Sequence, residues 1–258
     1  MGHDRTRVRP ARRAGAARRP SGGSRRRGVN QLAGLGPFFA VETHPPGAAP
    51  PRLWRPLAEV LDDGPALRHR VGQVHAALAA GGGDVELRVA ASVAHLGMAA
   101  RLCSPALALA AGHHLVPDFA DAWWQPVTGG AMPLSLRADL TPVAPSEVAG
   151  AFAERVLNGP MARLDRAVGA FSLAAKVRQG NLASALNGAA VVLRGERPEW
   201  TDAVSVLLAT LEQSPPLAGA ATRTGGRFRR TSCCLIYRAA PGRAGPKCGD
   251  CVLTGRPA

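Results

Sequence analysis

The stretch DVELRVAASVAHLGMAARLCSPALALAAGHH, residues 84–114, decides how the rest of the chain is read. Val85, Val89, Val93, Leu96 and Ala99 recur at steps of three and four, which predicts a buried helix over 84–102. Ser104-Pro105 is expected to break that ladder, with a second helix of small residues from Ala106 to about His114 and a stop before Pro117. The best apolar run, Leu96 to Leu109, is interrupted by Arg101 and Pro105, so no membrane-spanning segment is expected.

Outward on the N-terminal side, Leu67, Val71, Val74 and Leu78 predict a helix begun by Pro65 and ended by Gly81-Gly82-Gly83. Leu57, Val60 and Leu61 form a shorter helical stripe before it. The glycine run is no phosphate loop, because no strand precedes it and no Lys-Ser/Thr follows. Prolines at 37, 45, 46, 50 and 51 predict an irregular entry segment over 36–52. Residues 1–28 hold ten arginines and one acid, Asp4, without an apolar period, and are expected to be a disordered leader. Arg25-Arg26-Arg27 before Leu32 to Val41 imitate a twin-arginine signal, but Gly34, Gly36 and Pro37 interrupt that run.

On the C-terminal side, Trp123-Trp124, Gly129-Gly130 and the alternating Met132, Leu134 and Leu136 predict a small β-hairpin. Helices are expected over 145–157, 160–178, 180–194 and 198–212, with Gly159-Pro160 separating the first two. A Pro/Gly/Arg-rich linker over 214–230 then leads to a cysteine segment. The fold class is mainly α, within α+β: a helical domain over 29–224 with a small β-hairpin, then an irregular cysteine-rich segment over 225–258. Low aromatic content (4%) against abundant Ala, Leu and Val favours close-packed helices over an aromatic-rich sheet.

The net charge of +14 does not mark a nucleic-acid-binding protein, because residues 1–28 alone supply +9 of it. Binding of nucleic acid or anionic lipid is at most a property of the leader, and loose association with a membrane face is its natural form. Five cysteines are too few for a disulfide-stapled scaffold, and four of them lie within nineteen residues. That clustering points to metal or redox chemistry in a reducing compartment, and hence to the cytoplasm.

The cysteine segment reads RRTSCCLIYRAAPGRAGPKCGDCVL, residues 229–253. Cys233 and Cys234 are adjacent; thirteen residues later come Cys248, Gly249, Asp250 and Cys251. A Cys-x-x-Cys turn converges two thiolates, and Pro241, Gly242, Gly245 and Pro246 let the intervening loop fold back. Four thiolates suit a tetrahedral zinc or a [2Fe-2S] cluster. Adjacent cysteines project differently along the backbone, which favours a two-iron target; a zinc-stabilised, non-enzymatic binding module stays open as the alternative. Arg227, Arg229, Arg230, Arg238, Arg243 and Lys247 crowd the segment, either stabilising a reduced centre and steering an acidic donor or simply solvated.

This segment resembles that of the FhuF-like ferric siderophore reductases. The resemblance extends upstream through Ala100–Pro105, Leu115-Val116-Pro117, Trp123-Trp124 and Gly180–Leu186. It implies a [2Fe-2S] oxidoreductase that reduces a ferric siderophore in one-electron steps in the cytoplasm, releasing Fe(II) for iron acquisition. Cys233, Cys234, Cys248 and Cys251 are the implied cluster ligands, and a ferredoxin or reductase the implied electron donor. Members of that family have about ten residues between the cysteine pairs; the three extra ones here add only about 0.2 kcal/mol of loop-closure cost.

Among single residues, Cys103 is expected as a buried small hydrophobe and His113-His114 as helix-end or surface groups. Trp123-Trp124 are expected to pack in the hairpin core, with a substrate-pocket wall as the alternative. Asn181 is expected to cap a helix start, or else to contact substrate. No nicotinamide or flavin fingerprint is present.

Overall fold

A computed structural model describes residues 29, 31–51 and 53–254. The leader and its expected disorder lie outside the described residues. The chain is mainly helical, with one small mixed sheet and a C-terminal hairpin. Its elements are β1 (Glu42–His44), β2 (Arg55–Pro56), α1 (Ala58–Leu61), α2 (Pro65–Ala79), α3 (Leu87–His113), β3 (Trp123–Trp124), β4 (Leu134–Arg137), α4 (Val148–Phe152), α5 (Ala162–Gly169), α6 (Ala175–Glu196), α7 (Thr201–Leu211), β5 (Ala221–Thr224) and β6 (Arg227–Arg230).

Helix α3 is the axis of the molecule. It packs most extensively on α6, then on α2, and the core closes around it. Contrary to expectation, it is one continuous helix with Pro105 inside. Pro105 cannot donate to the Arg101 carbonyl, but Ser104, Pro105 and Ala106 to Ala110 are all buried, so packing on every side outweighs the lost bond. The Ser104 hydroxyl also donates to the Ala100 carbonyl at 2.7 Å. The unbroken helix is long and apolar enough, by composition, to cross a membrane, which the interrupted sequence run concealed. Of its most apolar window, 78% is buried inside the protein, so packing accounts for its apolar residues.

Arg101, which had looked like an interruption, is a tie point. Its guanidinium is buried and donates to the carbonyls of Met132 at 2.7 Å, Phe38 at 3.0 Å and Ala40. Burial lowers its pKa to about 10, which leaves it cationic at neutral pH. One side chain thus fastens the entry segment and the sheet to α3.

The expected hairpin exists as β3 and β4, but within a four-stranded sheet of order β1-β4-β3-β2. β1 joins β4 in parallel and β2 joins β3 antiparallel, so the proline-rich entry is less irregular than its composition predicts. Trp124 is buried and Trp123 half-buried in this sheet, as expected of core packing.

Gly159-Pro160 separates two helices, as expected. The helical path of α4 runs on into Ala153–Met161 until Gly159, whose backbone leaves the helical region (φ −85°, ψ −110°), and α5 follows after that kink. The next true break is Ala170–Ala174, so the expected boundary between helices at 178–180 is corrected: α6 runs unbroken from Ala175 to Glu196. His114 ends α3 in the left-handed region (φ 53°), and Cys103 is fully buried, both as expected.

Candidate metal centre

The reading of 214–230 as a linker is corrected by β5 and β6, which pair from Ala221 with Arg230 to Thr224 with Arg227. Gly225 and Gly226 turn the hairpin, both at positive φ (58° and 76°). A Gly-Gly pair between two short alternating runs was the legible signal for it. The pleat then sorts the arginines: Phe228 and Arg230 face inward, while Arg227 is exposed and Arg229 half-buried. Of the basic residues around the cysteines, Arg230 alone is buried.

Arg230 organises the segment after it. Its backbone N–H donates to the Asp250 carbonyl at 3.0 Å, which lays the Cys-x-x-Cys turn against β6. Cys251 N–H closes that turn on the Cys248 carbonyl at 3.1 Å. The guanidinium donates through Nη2 to Cys248 Sγ at 3.0 Å and through Nη1 to Asn181 Oδ1 at 2.8 Å. Its Nε lies 3.4 Å from Asp250 Oδ2, and Asp250 also accepts from the Ser184 hydroxyl of α6.

Cys234 and Cys251 are buried, and Cys233 and Cys248 half-buried. Cys234 Sγ and Cys248 Sγ are 3.6 Å apart. Two sulfurs receive backbone N–H groups from two residues on: Leu235 to Cys233 at 3.3 Å and Leu253 to Cys251 at 3.4 Å. Among the described residues, no three His, Cys, Asp or Glu side chains close on one point as a single ion requires. The thirteen-residue loop is built into a 3₁₀ turn, Ile236–Ala239, and a tight turn at Pro241–Arg243 with Gly242 at φ 65°, and Gly245 N–H returns to the Tyr237 carbonyl at 2.8 Å. Arg238 and Arg243 pair with Glu86 at the start of α3, so they anchor the loop.

The thiols differ in acidity. The hydrogen bond from Cys233 holds the Cys234 thiol down at about 5, with the Ile236 N–H and Arg230 adding to it against burial. The same hydrogen bond and burial raise Cys233. Burial and the Asp250 hydrogen bond push Cys248 up to about 12. Burial works against the charge on Arg230, but the Cys234 thiolate and Asp250 carboxylate outweigh it and raise its pKa.

Beneath the cysteines lies a polar network that sequence reasoning missed. Asn181 is not a helix cap: it sits inside α6, fully buried. Its amide nitrogen donates to the Ser92 carbonyl at 3.0 Å and lies 3.1 Å from Ser92 Oγ. Ser92 Oγ in turn donates to the Cys234 carbonyl at 2.7 Å. Gly180 admits the tail here, since a Cβ on it would lie 2.2 Å from Ser232 Oγ. Gly83 does the same at the loop, where a Cβ would meet the Ala239 carbonyl at 2.5 Å. The expectation that the glycine run merely ends a helix thus omits its second use.

Four cysteine sulfurs with N–H donors and a buried guanidinium beside them are the donor set and the positive surroundings that an anionic iron–sulfur group needs. Cys103 lies in the core, and nothing places His113 or His114 with the four cysteines. Residues 230–253 match the family model of the FhuF 2Fe-2S C-terminal domain, beginning at Arg230 and ending two residues after Cys251. The chain has no match among curated proteins. The match decides between the two metal readings in favour of iron and sulfide over zinc. Residues 230–253 of this chain are thus similar to the FhuF 2Fe-2S C-terminal domain, and the cofactor that this match indicates is a [2Fe-2S] cluster.

Proposed function

We propose that this protein is a cytoplasmic ferric siderophore reductase, with Cys233, Cys234, Cys248 and Cys251 as the ligands of its cluster. The observation that carries the reading is the grouping of these four cysteines within the FhuF-type segment, under the buried guanidinium of Arg230. When bound, the cluster supplies a one-electron couple near the protein surface.

The chain's own residues set the conditions. Arg230 offsets negative charge at Cys248 and favours the more negative, reduced state. The N–H groups of Leu235 and Leu253 do the same at Cys233 and Cys251. The half-buried Cys233 and Cys248 mark the side from which an electron partner approaches. Arg227 and Lys247 are exposed and available to steer an acidic donor such as a ferredoxin. The substrate's chelated Fe(III) takes up one electron, and the chelator then holds the resulting Fe(II) far more weakly.

The test begins with anaerobic purification, a visible spectrum and iron and sulfide analysis. About two irons and two sulfides per chain are expected, with both lost in Cys248→Ser. The reduced protein, mixed with a ferric hydroxamate chelate, should then release Fe(II) to a ferrous-specific dye. Retention of the full spectrum in Cys248→Ser would refute the ligand assignment. A reduced cluster that is not reoxidised by any ferric chelate would refute the reductase reading.

A further inference from the structure

Beyond Asn181, a cavity of about 300 Å³ opens between the kinked segment Ala153–Met161, α5, α6 and the Pro215-Pro216 segment. Its polar lining is His95, Asn158, Asp165, Arg166 and Gln179, and Leu157, Met161 and Leu182 supply apolar wall. Three of these eight side chains, Leu157, Asn158 and Met161, flank the kink at Gly159.

His95 is only 1% exposed, and its Nε2 has no hydrogen-bond partner. Its tautomer follows from its neighbours. The guanidinium of Arg230 can only donate, so the Asn181 atom it bonds is the carbonyl oxygen, and the Asn181 amide nitrogen faces Ser92 and His95. That nitrogen lies 3.4 Å from His95 Nδ1 and can only donate to it, which leaves the ring proton on Nε2. Burial and the nearby Arg178 hold the imidazole neutral, with its pKa at about 3. The nearest carboxylate oxygen, Asp165 Oδ1, is 4.0 Å from Nε2, too far for a hydrogen bond, and is already paired with Arg178 Nε at 3.0 Å. A buried donor left unpaired is costly, and an acceptor delivered by a ligand relieves it. Arg166 adds an exposed guanidinium with no ion pair among the described residues.

We propose that this cavity binds a small organic carboxylate with an apolar body. Its head accepts from His95 Nε2 and pairs with Arg166, and its body packs on Leu157, Met161 and Leu182. The site stands independently of the reductase reading. It is joined to the cysteines through one side chain, because Asn181 contacts both His95 and Arg230.

Calorimetric titration of benzoate into the full-length, cluster-loaded protein tests this, with benzyl alcohol as the neutral counterpart. Saturable one-to-one binding of benzoate is expected, weakened about tenfold in Arg166→Gln and in His95→Met, with benzyl alcohol weaker by a similar factor. Arg166 is exposed, so its variant tests the site without burdening the fold. Absence of saturable benzoate binding, undiminished affinity in Arg166→Gln, or equal affinity for the alcohol overturns the proposal.

Discussion

Arg230 donates to Cys248 Sγ at 3.0 Å from a side chain with no solvent exposure, so a full positive charge is fixed beside one sulfur of the centre. Replacing it by Gln removes that charge and should lower the reduction potential by on the order of 100 mV, the Coulomb energy of one charge about 6 Å away at an effective dielectric constant of about 20. Arg230→Lys keeps the charge but not the fork, and should fall by less. Redox titration followed by electron paramagnetic resonance reads both, with iron content measured in parallel. An unchanged potential in an iron-replete Gln variant would remove Arg230 from this role.

Asn181 holds the same guanidinium from below. Asn181→Leu conserves approximate volume but strips partners from Arg230 Nη1 and the Ser92 carbonyl, both buried. A loss of about 2–4 kcal/mol is expected, because unpaired buried polar groups bear their desolvation cost. Urea unfolding of the cluster-loaded protein measures it.

Gly83 lies far from the cysteines in sequence yet touches the loop between them. In Gly83→Ala the new methyl would have to displace the backbone carbonyl of Ala239, which cannot rotate away as a side chain could. The variant should fold, keep all four cysteines and lose its visible spectrum faster than the parent in air. An unaltered rate of bleaching would show that the loop tolerates the shift.

His95 makes stability depend on pH. Its folded-state pKa of about 3 lies below its ordinary 6.5, so the unfolded chain binds a proton that the folded one refuses. The stabilisation is complete above about pH 6.5 and declines as pH falls toward 3, by about 2 kcal/mol at pH 5. Arg178 and Asp165 face the same ring and remain in place in His95→Met. Urea unfolding at pH 7.5 and 5.0 should therefore show a smaller drop in that variant.

Sequence alone was sufficient for the helical class, the helix Pro65–Ala79, the Trp123-Trp124 hairpin and the four-cysteine segment. Each is a short-range pattern: a helical period, a turn between alternating runs, or ligand types at fixed spacing. It misled at Pro105, where local rules favour a break and packing on every side carries the helix through, whereas at Gly159-Pro160 the same rules held and the backbone leaves the helical region. The polar network under the cysteines belongs to tertiary structure. Ser92 and Cys234 are 142 residues apart, and Ser92 and Asn181 are 89 apart. A buried hydrogen bond between such residues leaves no periodic trace in either segment, because only the packing of α3 on α6, of β6 on α6 and of the cysteine segment on α3 brings donor to acceptor.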